Sequence, residues 1–135
     1  MTIQQSQRGE VYKMERTAAQ LANKKNIDRY KSVIELEKFG QPAVDHLIMA
    51  LKDEDRWVRY VAADSLANIG ATQAVTPLMA TLKDPDQDVR FAAAAALGRL
   101  GDRKALPELE SVLKNDNAYV RIAAEEAIER ISVVR

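Results

Sequence analysis

The chain has 135 residues, 47% hydrophobic and 30% charged, with 20 basic and 20 acidic side chains and no cysteine. That is one ordinary domain with enough apolar mass for a core; zero formal net charge leaves no whole-chain basic footprint for nucleic acid, and the missing cysteines remove disulfides, thiolate nucleophiles and cysteine metal sites. No stretch approaches the roughly 18 apolar residues of a membrane span, and the polar start MTIQQSQRGE lacks the apolar region of a secretory signal, so the expected compartment is the cytoplasm.

Residues 1–10 read as a flexible tail. A helix is expected over 11–24, VYKMERTAAQLANK, with a thin apolar stripe of Met14, Ala18 and Leu21 among Lys13, Arg16 and Gln20. Such a narrow stripe suits an outermost helix. From residue 43 the chain repeats with a period of 31 and no gaps, in copies 43–73, 74–104 and 105–135. Leu47, Leu78 and Leu109 align, as do Val58, Val89 and Val120, and Leu66, Leu97 and Ile128. A weaker copy over about 11–42 aligns at an offset of 30, matching Leu21 to Leu51, Arg29 to Arg59 and Leu36 to Leu66, but with Asp28 where the others have valine.

Each copy reads as two helices. In the first, Val44, Leu47, Ile48 and Leu51 recur at helical spacing. Pro42, Pro77 and Pro107 fall near first-helix starts, where a missing amide costs little. Asp55, Asp86 and Asn117 are expected to cap the second helices, and Gly70 and Gly101 to end two of them. No run alternates as a strand would. The expected fold is all-α, a superhelical solenoid of about four antiparallel helix pairs.

The pattern D-x-D-x-x-V-R-x-x-A-A-x-x-L stands at Asp53–Leu66 and Asp84–Leu97, and the third copy keeps it with Asn115 and Asn117 for the aspartates. It resembles the HEAT-repeat family, and more closely the short phycobilisome-lyase HEAT-like variety. The resemblance implies an inter-repeat ladder, with Asn23, Asp53, Asp84 and Asn115 as acceptors and Arg29, Arg59, Arg90 and Arg121 as donors. An arginine amid an apolar helix start needs a partner, and its fork suits a carboxylate or a turn carbonyl. An anion-binding arginine row is the alternative reading.

The columns also report direction. Ala63, Ala94 and Glu125 form one, and Ala67, Gly98 and Glu129 another. Their positions are four apart on one helix face. That face is expected to pack on a following repeat, with Glu125 and Glu129 as a polar cap ending the array. Other second-helix columns vary: Tyr30, Tyr60, Phe91 and Ile122; Ile27, Trp57, Asp88 and Tyr119; Val61, Ala92 and Ala123; Ile34, Asp64, Ala95 and Glu126; Lys38, Asn68, Arg99 and Arg130. The resemblance implies that second helices line the concave, partner-binding side. Variation there beside a constant core suits recognition on a fixed frame, and Trp, Tyr and Arg are enriched at hot spots. The expected contact residues are therefore Tyr30, Trp57, Tyr60, Val61, Asp64, Asn68, Asp88, Phe91, Arg99, Tyr119, Ile122 and Arg130. Half-buried groove packing is the plainer reading of each aromatic.

Chemistry is thinly supplied. His46 is the only histidine and shares its column with Pro77 and Glu108, so an exposed position is expected. An iron-dependent hydroxylase of the wider family uses repeated His-Glu pairs, which this chain lacks. Ser65, Ser111 and Ser132 sit in helices without an elbow or glycine-rich loop. Asp53, Glu54, Asp55, Asp84, Asp86 and Asp88 lack the order and closing glutamate of an EF-hand. No catalytic, cofactor or metal residues are assigned. The expected function is non-catalytic scaffolding of a protein partner by a monomer or weak dimer. Its alternatives are a bilin lyase-type subunit and weak nucleic-acid binding through the basic residues Lys13, Arg16, Lys24, Lys25, Arg29, Lys31 and Lys38.

Overall fold

A computed structural model describes residues 2–133, and every regular element among them is helical. The helices are α1 (Ile3–Ala22), α2 (Arg29–Glu37), α3 (Val44–Ala50), α4 (Arg56–Ile69), α5 (Val75–Thr81), α6 (Gln87–Leu100), α7 (Leu106–Asn115) and α8 (Ala118–Val133). They pack as four pairs, α1 on α2, α3 on α4, α5 on α6 and α7 on α8.

The ends of these helices follow from local chemistry. Asp55 accepts from the amides of Trp57 and Val58, and Asp86 from those of Asp88 and Val89. Asn117 accepts from the Val120 amide. Gly70 and Gly101 close α4 and α6 at φ of 77° and 73°, where a side chain would be strained. One 3₁₀ turn precedes each of α3, α5 and α7 (Gln41–Ala43, Thr72–Ala74 and Arg103–Ala105). Pro42 lies in the first turn, and Pro77 and Pro107 lie in the opening turns of α5 and α7.

The N-terminus differs from the sequence expectation. Ile3–Glu10, read as a tail, form the first turns of α1, all of them exposed. Thr2 accepts from the Gln5 amide while the Gln5 side chain accepts from the Thr2 amide. That reciprocal cap satisfies two otherwise orphaned donors. The expected stripe does face inward, with Met14 and Leu21 buried and Ala18 half-buried.

Leu36, Leu47, Leu66, Leu78, Leu97, Leu109 and Ile131 are wholly buried, so every repeat contributes to one core. The second helices pack on one another, α2 on α4, α4 on α6 and most extensively α6 on α8, whereas successive first helices barely touch. Small residues make this possible. Ala62, Ala63, Ala93, Ala94 and Ala124 are fully buried. A Cβ on Gly98 would lie 2.7 Å from the Cα of Ala127. Close packing thus lies on the second-helix side and open grooves on the first-helix side. One such groove, about 430 Å³, lies between α3 and α5 beside Ile48, Leu51, Pro77 and Thr81. The small-residue face ends in α8, where Glu125 and Glu129 are exposed as expected.

Candidate partner-binding face

The turns hold the second helices in register through three arginine rungs. Arg59 donates from Nε and Nη2 to the two oxygens of Asp84, at 2.8 and 3.1 Å. Its Nη1 donates to the carbonyls of Asp53 and Glu54 in its own turn. Arg90 repeats both sets, on Asp116 and on the carbonyls of Asp84 and Pro85. Arg29 makes a poorer rung, with Nη2 reaching Asp53 Oδ1 at 2.8 Å and Nε buried without a partner. The arginines thus tie each turn to the next instead of forming an open anion row.

Three ladder expectations are corrected, the first at Asn23, whose Oδ1 accepts only the Lys25 amide among the described residues. Asn115 is not an acceptor of the ladder; Asp116 holds that place. The helix α7 runs on to Asn115, whose Nδ2 donates back to the Ser111 carbonyl. At ten residues against seven, α7 is longer than α3 and α5, so the turn starts later and the acceptor acid stands one position further on. Arg121 is exposed and makes no side-chain hydrogen bond among the described residues. Burial pushes the Asp116 carboxyl up, but the Arg90 fork and the Asn117 amide more than offset this and hold it below the usual range. For Asp86 burial acts likewise, and the Val89 and Asp88 amides with Arg56 prevail.

The ladder sets the second helices side by side and so aligns the variable columns. Tyr30, Trp57, Tyr119 and Ile122 are exposed, the last at 62%, and Tyr60, Val61 and Phe91 are half-buried. The Trp57 and Tyr60 rings meet edge to face at 6.0 Å. Phe91 and Tyr119, one repeat apart, stack at 4.7 Å with 16° between planes. The Tyr119 hydroxyl donates to Asp88 Oδ1 at 2.8 Å. That bond, then burial and the Asp88 charge, push the Tyr119 hydroxyl above its ordinary range.

The polar members lie toward the other ends of these helices. Arg99 donates to Asn68 Oδ1 at 2.7 Å and approaches Asp64 at 3.5 Å. Asn68 donates to Glu37 Oε1 at 3.1 Å, joining α4 to α2. Arg130 and Glu126 are exposed and border a cavity of about 70 Å³ with Phe91, Ala95, Arg99 and Ala123. Ala95 lines this cavity, whereas Ala92 is buried.

His46 is half-buried, not exposed, and its Nε2 lies 3.3 Å from Glu15 Oε1 across α1 and α3. The described residues bring no three His, Asp or Glu side chains together at metal-binding distance. No described helix is long and apolar enough to cross a membrane.

The sequence matches the HEAT repeats family over residues 16–80 and again over 44–129. Among solved structures, human deoxyhypusine hydroxylase in complex with glycerol is similar in fold, with a TM-score of 0.79 at 22% identity, over 88% of this chain and 43% of that one. The complex of CpcE and CpcF of phycocyanin lyase from Nostoc is similar with a TM-score of 0.76 at 32% identity, over 87% of this chain and 53% of that one. The chain therefore spans about half the length of these two. No curated protein is matched by the sequence.

Proposed function

This chain belongs to the HEAT-repeat family, and from that premise we propose that it is a non-catalytic interaction module that holds a segment of a partner protein across its second helices. The observation that carries this reading is the aromatic set of exposed Tyr30, Trp57 and Tyr119 with half-buried Tyr60 and Phe91, on a tightly packed alanine frame. Rigid aromatics bury large area at little entropic cost, which makes them effective anchors. Solenoid arrays present extended concave surfaces, which suit an elongated ligand. Alanine at Trp57, Tyr60 and Phe91 together is expected to preserve folding and abolish partner capture. Capture that survives the triple change overturns the reading.

The 32% identity to the phycocyanin lyase complex favours one second reading, a chromophore-handling subunit that holds a flat tetrapyrrole on the same aromatic set. A visible-band shift on mixing with a bilin supports it. An unchanged spectrum at high micromolar bilin overturns it.

A further inference from the structure

Three exposed aromatics already carry a cation of their own. Arg56 lies over Trp57 at 5.2 Å, Lys31 over Tyr30 at 5.9 Å and Arg16 over Tyr12 at 5.9 Å. Arg56 also donates to Asp86 at 3.3 Å, so in that repeat one guanidinium meets both a ring and a carboxylate. One repeat on, the column of Arg56 and Trp57 becomes Gln87 and Asp88. Gln87 is neutral and accepts from Asn117. The cation is lost there and an acid gained. Asp88 is half-buried, accepts only the Tyr119 hydroxyl, and forms no ion pair among the described residues. Beside it the stacked Phe91 and Tyr119 rings have no cation over them among the described residues.

We propose that Asp88, Phe91 and Tyr119 form a receptor for one guanidinium of the partner segment, which stacks on the rings and pairs with the Asp88 carboxylate. The proposal rests on the second helices being the contact face, and it adds the chemistry of the occupant: an apolar segment carrying an arginine. A ring face attracts a cation through its quadrupole. A planar guanidinium also stacks and presents a fork to a carboxylate, which an ammonium does not. The free oxygen of Asp88 supplies the charge that Arg56 finds in Asp86.

The test is an NMR titration of the full chain with three probes: acetyl-arginine amide, its neutral isostere acetyl-citrulline amide, and acetyl-leucine amide. The expected result is movement of the Phe91 and Tyr119 ring signals, with arginine about tenfold tighter than citrulline. Asp88→Asn, which keeps an oxygen for the Tyr119 hydroxyl, leaves only the ring attraction and cuts the preference to about threefold or less. Equal affinities in the parent chain, or an arginine preference that Asp88→Asn leaves undiminished, overturn the guanidinium receptor. If leucine amide still moves the Trp57 and Tyr60 rings in that case, the contact face stands without it. If no probe moves any of these rings, both fall.

Discussion

Arg90 holds Asp116 by two parallel hydrogen bonds across a gap of 26 residues, with both side chains mostly buried. The same guanidinium closes its own turn through the Asp84 and Pro85 carbonyls. Removing one partner of such a pair leaves an uncompensated buried charge, so Asp116→Ala is expected to cost about 3 kcal/mol in urea unfolding. Asn115→Ala, at the position the repeat pattern favours, is expected to cost roughly 0.5 kcal/mol or less.

Acid should weaken the same joint. The folded-state values of Asp86 and Asp116 lie below the ordinary carboxylate range. A depressed value means the stabilisation is present above the unfolded pKa and is lost as pH falls through the folded one. Stability is therefore expected to hold down to about pH 5 and to decline below it. Urea midpoints measured from pH 7 to pH 2 check this, and Asp116→Ala is expected to flatten part of the decline.

Gly98 marks a close approach of α6 to α8. A methyl there meets the Ala127 Cα at 2.7 Å and its Cβ at 2.9 Å. The gain in helix propensity is about 1 kcal/mol, and overpacking of a rigid contact costs about 1–3 kcal/mol. Gly98→Ala is expected to be net destabilising, with a lower melting temperature. A rise in melting temperature would show that the helices part easily.

Ser65 carries the opposite error. Its hydroxyl is buried and without a partner, and the same column holds Ala96 and Ala127 in later repeats. An unsatisfied buried hydroxyl is destabilising by about 1 kcal/mol or more. Ser65→Ala is expected to raise the melting temperature by a few degrees.

The period of 31 exposed the fold because each core position recurs three times, and a recurring leucine or alanine has only one face to occupy. The caps at Asp55, Asp86 and Asn117 were legible for the same reason. Column alignment failed where helix length changed. Asn115 aligns with two ladder aspartates, yet the longer α7 absorbs it and passes the role to Asp116. The helical start of α1 was signalled by Thr2 and Gln5, three residues apart as a capping box requires, but the polar residues around them masked it. Of the candidate site, the aromatic columns were legible. The stack of Phe91 on Tyr119 and the lone acid beside it depend on lateral offsets between helices, which a repeat period does not carry.

The central claim is that partners are held on the second-helix face. The most direct measurement is quantitative affinity capture from native lysate, comparing the parent chain with two variants of unchanged circular dichroism. One carries alanine at Trp57, Tyr60 and Phe91. The other carries Met49→Glu on the first-helix side, where Met49 is 73% exposed. Loss of three anchors of about 1–2 kcal/mol each predicts at least about tenfold weaker capture by the triple variant, with Met49→Glu capturing as the parent does. Undiminished capture by the triple variant, with loss on Met49→Glu, would place the partner on the opposite side and contradict the account.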